Sequence, residues 1–187
     1  MHILVTADTL GGVWIYTREL VTGLVRRGDR VTLVSFGDIP AAAQTRWMDG
    51  LANLDYRPTA FKLEWMLDSE ADMEASSQYL LATIEESRPD LLHSSQFYYG
   101  ALPCDIPRLV VAHSDVVSWW MSVHHQGPPE TEWLRWYRQI VARGLREATT
   151  VVAPSRWMLE QIEVQRKERS QDRPPILPSP VAANGSH

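Results

Sequence analysis

The first 37 residues constrain the fold of this chain more than any other stretch. Residues 2–7 form a short apolar run typical of a buried strand, and that run breaks at Gly11-Gly12. A helical pattern follows at once and ends before Gly28, where two preceding arginines indicate a left-handed C-terminal cap. Residues 31–36 are apolar again and return the chain to the sheet. Strand, glycine turn, helix and strand predict one right-handed βαβ unit.

The glycine turn, Gly11-Gly12, is the first candidate binding element. Two glycines allow the backbone to approach a ligand with no Cβ in the way, and the free N–H groups of the helix start face the same place. A phosphate or another electron-rich oxygen fits such a position. The alternative is that the glycines only make a tight turn, because an isolated Gly-Gly pair is a weak signal.

The rest of the chain continues the alternation of strands and helices. Further strands are predicted at residues 54–58, 90–95, 109–113 and 149–153, and further helices at 41–51, 70–87, 130–147 and 155–168. Residues 114–129 are predicted to form a polar and aromatic loop. This order predicts an α/β domain at residues 1–168, with a Rossmann-like, doubly wound parallel sheet of about six to seven strands. Residues 169–187 read as a linker or tail, and their last three residues resemble a vector scar.

Composition excludes several classes of protein. A net charge of −5 gives no support for nucleic-acid binding, and no apolar run approaches the ~20 residues of a membrane span. The single cysteine, Cys104, excludes an internal disulfide and suits a reducing cytoplasm. We therefore expect a cytoplasmic protein, with peripheral contact to a membrane left open.

The strand ends predict where a ligand binds. In a doubly wound sheet ligands bind at the carboxyl ends of the strands, so the residues just after each strand should meet at one edge. Asp8 follows the first strand, Ser94 the fourth and His113 the fifth. His113 is either a functional imidazole or a core histidine with one satisfied nitrogen.

Aromatic and histidine pairs mark the predicted loop. Trp119-Trp120 offers a stacking platform for a sugar or an apolar acceptor, although adjacent residues point apart and one of the two is expected in the core. His124-His125 suggests a metal only superficially, because neighbours seldom share one ion and no third ligand has suitable spacing. We expect no metal site.

Taken in order, these segments resemble a known family. The glycine turn is followed by Tyr16-Thr-Arg-Glu-Leu-Val, the fifth strand reads Leu-Val-Val-Ala-His113-Ser, and the sixth leads into Val-Val-Ala-Pro-Ser155-Arg-Trp-Met. Over residues 1–168 the chain resembles the N-terminal half of retaining glycosyltransferases of the GT-B type, family 4. No single motif is decisive, but their order and spacing together are fairly specific.

The resemblance implies roles for the candidate residues. In that family the N-terminal domain holds the acceptor, and a second domain holds the nucleotide-sugar donor, with no metal cofactor expected. By position Gly11 and Gly12 inherit contacts to the donor phosphates and the reacting sugar, and His113 inherits a contact to the donor sugar that transfer requires. The neighbouring residues expected to contact the acceptor are Asp8, Ser94, Trp119 and Trp120.

The chain also departs from the family pattern. The donor domain and its pair of glutamates, separated by seven intervening residues, are not recognisable in these 187 residues. Glu160 and Glu168 have that spacing but lack the surrounding glycine and phenylalanine. We therefore expect a hexosyltransferase-type enzyme that is inactive as this domain alone, its donor domain being removed or on a separate chain, and self-association through the exposed aromatic loop stays open.

Two other functions remain open on sequence grounds. The first is a sugar- or partner-binding module that has lost catalysis. The second and weaker one is a nucleotide-dependent dehydrogenase, because the turn lacks a G-x-G-x-x-G pattern.

Overall fold

The structure, a computed structural model, describes residues 1–168, with side chains as far as Glu163. The predicted tail at 169–187 lies outside the described residues. The strands are β1 (His2–Asp8), β2 (Arg30–Phe36), β3 (Leu54–Pro58), β4 (Leu91–Ser94), β5 (Arg108–Val111) and β6 (Thr150–Val152). The helices are α1 (Gly11–Arg26), α2 (Ala42–Thr45), α3 (Glu70–Ser87), α4 (Val116–His124), α5 (Glu132–Glu147) and α6 (Arg156–Glu168), with two short 3-10 helices at Arg46–Met48 and Tyr98–Ala101.

The described strands form one parallel sheet in the order β3-β2-β1-β4-β5-β6. This arrangement confirms the predicted Rossmann-like, doubly wound sheet. After β3 the chain crosses to the other side of β1, so the direction of winding reverses between β1 and β4. In sheets of this kind the crevice at the carboxyl ends of the strands beside that reversal is the usual ligand site.

The central strands are buried on both faces, as their continuous apolar runs require. Ile3 and Val5 of β1 pack with Trp14 and Val21 of α1 on one face. On the other face Leu4 packs in the cluster that includes Leu80 of α3. A third cluster joins β5 to α5 and α6 through Val110, Tyr137 and Met158.

One helix contradicts the sequence prediction. Residues 116–124, predicted as a loop, form α4 because Asp115 caps its start: Asp115 Oδ1 accepts hydrogen bonds from Val117 N (2.9 Å) and Ser118 N (3.2 Å). Valine and tryptophan are mediocre helix formers, so propensity alone gave no signal for a helix. The helix ends at His125, which has a left-handed φ of 55°.

A close backbone contact fixes the position of α5. A Cβ on Gly144 would lie 1.8 Å from the carbonyl oxygen of Phe97, and one on Gly100 would lie 2.3 Å from the carbonyl oxygen of Gly144. Only glycine allows α5 and the 3-10 helix at Tyr98–Ala101 to come this near to each other. This contact matters for function because α5 carries part of the cleft described below.

Candidate functional site

A cleft of about 780 Å³ opens beside the residues that follow β1 and β5. Asp8, the glycine turn and Trp119-Trp120 line it, so the structure brings these predicted site residues together. Two further tryptophans, Trp65 and Trp133, complete an aromatic side that we call the tryptophan wall: Trp65, Trp119, Trp120 and Trp133. The cleft has the size that proteins use for small organic ligands.

The glycine turn is open to a ligand. Gly11 has a φ of +55°, a conformation that a side chain would strain, whereas Gly12 has no such constraint. Apart from its chain neighbours and the backbone of its own helix, no described atom lies within 4 Å of the position that a Cβ on Gly12 would occupy. The helix also begins without a side-chain cap, since Leu10 at the N-cap makes no such hydrogen bond. The first N–H groups of α1 are therefore not capped by a side chain and can bind an electron-rich oxygen.

Asp8 is a carboxyl in a poorly solvated position. Its Oδ1 accepts a hydrogen bond from Leu10 N at 3.1 Å, which favours the charged form. Burial opposes this and raises the pKa of Asp8 to about 6. The side chain can therefore exchange a proton close to neutral pH, and it lies where the glycine turn meets the cleft.

Glu64 is a functional candidate that the sequence analysis missed. It is buried, and its two carboxylate oxygens accept hydrogen bonds from Phe97 N (2.9 Å) and Tyr98 N (2.7 Å). Burial nevertheless raises the pKa of Glu64 to about 7. The carboxylate holds the segment that carries Trp65 against the 3-10 helix at Tyr98–Ala101. Its partners lie 33 and 34 residues away in the chain, so no local sequence pattern indicates this role.

The tryptophan wall presents both exposed and supported rings. Trp119 is 54% exposed, while Trp120 is half-buried with its ring centroid 4.3 Å from that of His124. Trp133 donates from Nε1 to the carbonyl oxygen of Met66 at 3.1 Å and stacks on Tyr137. The adjacent tryptophans differ in exposure, but neither is a core residue, although one was expected in the core. Two of the four rings come from segments that the sequence analysis did not assign to the site.

His113 lies in a separate cluster and is not among the described residues that line the cleft. Its ring meets the edge of Tyr16 with 4.7 Å between centroids, and its Nε2 lies 3.5 Å from Ser95 Oγ. The Tyr16 hydroxyl in turn lies 3.2 Å from Nε2 of His93. Burial lowers the pKa of His113, and it lowers that of His93 to about 4. Both imidazoles are therefore neutral at neutral pH.

Ser94 does not reach the cleft, contrary to its predicted place beside the acceptor. The residue is fully buried, and its hydroxyl donates to the carbonyl oxygen of Gln96 (2.7 Å) while accepting from Gln96 N (3.1 Å). Thr6 Oγ1 lies 3.0 Å away on the neighbouring strand. These bonds fix the turn after β4, so Ser94 stabilises the backbone at the sheet edge.

The described part of the chain contains neither a metal-ligand cluster nor a membrane-spanning helix. Within residues 1–168 no three His, Cys, Asp or Glu side chains lie close enough to hold a metal ion. His124 instead packs its ring between those of Trp119 and Trp120. No helix in the same range is both long and apolar enough to cross a membrane.

Three solved glycosyltransferases have a fold similar to that of this chain. UGT2 of Phytolacca americana, complexed with UDP-2fluoro-glucose and pterostilbene, gives a TM-score of 0.56 at 13% identity, covering 93% of this chain and 51% of that one. A ugt transferase of Siraitia grosvenorii in complex with UDP gives 0.54 at 12% identity, covering 91% and 48%. A glycosyltransferase of Rickettsia africae ESF-5 gives 0.55 at 15% identity, covering 86% and 38%.

These likenesses concern the fold, because the identities are low. The chain spans about half the length, or less, of the solved structures that it matches. A comparison with curated protein sequences found no match.

The sequence itself matches a family over most of its length. Residues 10–173 fit the family described as Glycosyltransferase Family 4, and this range includes the glycine turn, the tryptophan wall and His113. The fold of the solved glycosyltransferases agrees with that assignment. The chain therefore belongs to Glycosyltransferase Family 4, with the Rossmann-like architecture of one half of a GT-B enzyme.

Proposed function

We propose that this chain is the acceptor-binding half of a retaining glycosyltransferase that moves a hexose from a nucleotide-sugar donor to an acceptor. The observation that carries the proposal is a single cleft in which Asp8 and the glycine turn meet the tryptophan wall. Family membership supplies the reaction class. The fold of UGT2 of Phytolacca americana, which holds a UDP-sugar analogue and pterostilbene, supports a site shared by donor and acceptor.

In this proposal the glycine turn receives the donor. Its N–H groups donate to phosphate or sugar oxygens, which the open space beside Gly12 admits. Transfer breaks the bond between the anomeric carbon and the diphosphate oxygen, and the acceptor oxygen bonds to that carbon. The acceptor proton leaves with the diphosphate. No metal cofactor is needed for this scheme.

His113 contributes as a neutral donor of a hydrogen bond. Because burial lowers its pKa, the imidazole is uncharged at neutral pH and can donate to a hydroxyl of the donor sugar. Tyr16 and Ser95 hold the ring from two sides. The role is binding and orientation of the sugar rather than neutralisation of phosphate charge.

A second domain, in the same or a separate chain, supplies the missing charge. Departing diphosphate needs positive donors to stabilise it, and the described lining of the cleft holds carboxyls but no lysine or arginine. The 187-residue chain alone is therefore inactive in this proposal.

A non-catalytic binding module is the second candidate, and the absence of His113 from the described lining of the cleft favours it. Both candidates bind an acceptor and differ only in transfer. The dehydrogenase alternative has no further support, since the chain belongs to a glycosyltransferase family.

The test is His113→Ala in the enzyme assembled with its donor domain. We expect transfer to fall by about 100-fold or more, the usual cost of losing a positioned hydrogen-bond donor, with unchanged urea unfolding. His125→Asn is the matched control, because His125 is exposed and asparagine tolerates its left-handed φ of 55°. Near-full activity of His113→Ala would remove the role proposed for His113, whereas no transfer by the wild-type assembly would favour the binding module.

A further inference from the structure

The lining of the cleft is rich in tryptophan. Four of the eight tryptophans of the chain form its wall, although the chain has only three phenylalanines in total. Trp119 and Trp65 keep 54% and 41% of their surface exposed, and Leu10 and Leu67 beside them keep 42% and 67%. Large apolar side chains that are grouped and exposed at a concave surface indicate a binding site, because a bound ligand would cover them.

The side-chain charges of the cleft disfavour an anionic acceptor. Its described lining contains the carboxyls of Asp8 and Asp115 and no lysine, arginine or histidine. Asp115 is engaged at the start of α4, where it accepts hydrogen bonds from Val117 N and Ser118 N and also bonds to Ser118 Oγ. A sugar phosphate or an anionic lipid headgroup would meet negative charge here with no cation to offset it.

Few polar groups are available for a sugar acceptor. A saccharide presents a hydroxyl on most of its carbons, and each needs a partner once it leaves water. The lining holds no described asparagine, glutamine or glutamate. Two of its hydroxyls already accept backbone hydrogen bonds: Thr131 Oγ1 from Leu134 N (3.0 Å) and the Tyr137 hydroxyl from Val116 N (3.2 Å). The described lining therefore offers a saccharide few free hydrogen-bond partners.

We propose that the acceptor is an uncharged, flat and largely aromatic molecule with a hydroxyl that hydrogen-bonds to Asp8. This inference rests on the proposed function and names the substrate class of its cleft. The flat body stacks on the tryptophan wall, where aromatic pairs gain beyond the burial of area alone. The hydroxyl lies where Asp8 and the glycine turn meet, which places the nucleophilic oxygen next to the predicted donor position.

The test compares two probes of different chemistry on the 187-residue chain. Isothermal titration measures binding of pterostilbene, a planar phenol, and of maltose, a neutral disaccharide of comparable size. We expect pterostilbene to bind at least about tenfold more tightly, since the cleft offers area rather than hydrogen bonds.

Variants assign the binding to the cleft. Trp119→Ala should weaken pterostilbene binding by about tenfold, a typical cost of removing an aromatic anchor. Trp157→Ala is the matched control, because Trp157 is 50% exposed on α6 and lies outside the lining, so binding should not change. Asp8→Ala should abolish any preference for pterostilbene over its methyl ether, which lacks the phenolic hydrogen.

The outcomes separate this inference from the proposed function. Tighter binding of maltose that depends on Trp119 would overturn the acceptor class while leaving an acceptor site in the cleft. Binding of pterostilbene that is indifferent to Trp119→Ala, or equally sensitive to Trp157→Ala, would overturn the inference altogether. The role in transfer is judged independently by His113→Ala.

Discussion

Gly11 and Gly12 are neighbours that lack a side chain for different physical reasons. Gly11 has a left-handed φ of +55° at the start of α1, so the backbone conformation of the fold requires glycine there. Gly12 has no positive φ, and no described atom would touch a Cβ there. Nothing in the packing requires glycine at position 12, and the open space there fits the proposed approach of a ligand.

Substitutions at these two positions should therefore separate stability from function. Gly11→Ala is expected to lower the free energy of unfolding by about 1 kcal/mol through backbone strain. Gly12→Val should leave that free energy within about 0.5 kcal/mol but raise the KM for the nucleotide-sugar in the assembled enzyme. Urea unfolding and steady-state kinetics measure the two effects. An unchanged KM in Gly12→Val would make the turn a purely structural element.

Asp8 should make the stability of the fold depend on pH. Its pKa is about 6 in the folded chain and near 3.8 when unfolded, so between these values the folded state binds more protons. Stability then falls as pH rises from about 4 to 6 and stays low above that window. Asp8→Asn cannot ionise and keeps the oxygen that accepts from Leu10 N.

We therefore expect Asp8→Asn to be more stable than the wild type at pH 7, by about 1–2 kcal/mol after allowing for screening of a half-buried group. The difference should vanish near pH 4. Urea unfolding from pH 4 to 8 measures it, and Asp105→Asn, at an exposed position, serves as the control. A constant difference across that range would contradict the shift at Asp8.

The strand-end rule predicted some of these residues and could not predict others. It predicted that Asp8 and the glycine turn lie at the sheet edge, and they do line the cleft, because Asp8 ends β1 and the turn comes shortly after it. It failed for Ser94, since the rule locates the backbone at the sheet edge but not the direction of a side chain that alternates along a strand. Glu64 escaped because its partners, Phe97 N and Tyr98 N, are distant in sequence.

At the scale of elements, α4 shows how tertiary context overrides propensity. Asp115 is a residue type that commonly caps a helix start, but the residues that follow it do not favour a helix in isolation. The helix forms where it adds Trp119 and Trp120 to the wall, while Trp133 and Tyr137 of α5 complete the cleft beside it. Three helices, α1, α4 and α5, therefore contribute to the cleft, and the sequence predicted two of them.

The backbone contact between α5 and the 3-10 helix gives a prediction at this scale. Gly144→Ala would place a Cβ 1.8 Å from the carbonyl oxygen of Phe97, so α5 must move. We expect a loss of about 3 kcal/mol or more in the free energy of unfolding, and a disturbed cleft because α5 carries Trp133. Thermal and urea unfolding measure the first effect, and tryptophan fluorescence reports the second.

Gly23→Ala is the matched control for that substitution. Gly23 is also inside a helix, but it is exposed and a Cβ there would touch no described atom. Alanine is the better helix former, so Gly23→Ala should raise stability by about 0.5–1 kcal/mol. If both variants behaved alike, the close approach at Gly144 would not be limiting.

At the scale of the whole molecule, the parallel, doubly wound sheet was the most predictable feature and the distribution of charge the least. The alternation of strands and helices along the chain led directly to that sheet, although its strand order was not predicted. The sequence could not show which charged side chains face the cleft, because no periodicity gives the directions of those side chains. The result is a half-enzyme fold with a net charge of −5 and a cleft whose described lining lacks any cation.

This charge distribution predicts that the chain alone binds a nucleotide weakly. UDP brings a diphosphate that needs positive donors, and the glycine turn offers only backbone N–H groups in a field of negative sign. We expect a Kd for UDP weaker than about 1 mM with the 187-residue chain, and at least tenfold tighter binding once the donor domain is present. Isothermal titration at low and at physiological salt measures both, with Gly12→Val as the control for binding at the turn. Micromolar UDP binding by the chain alone, lost in Gly12→Val, would assign the donor site to this half and remove the need for cations from a second domain.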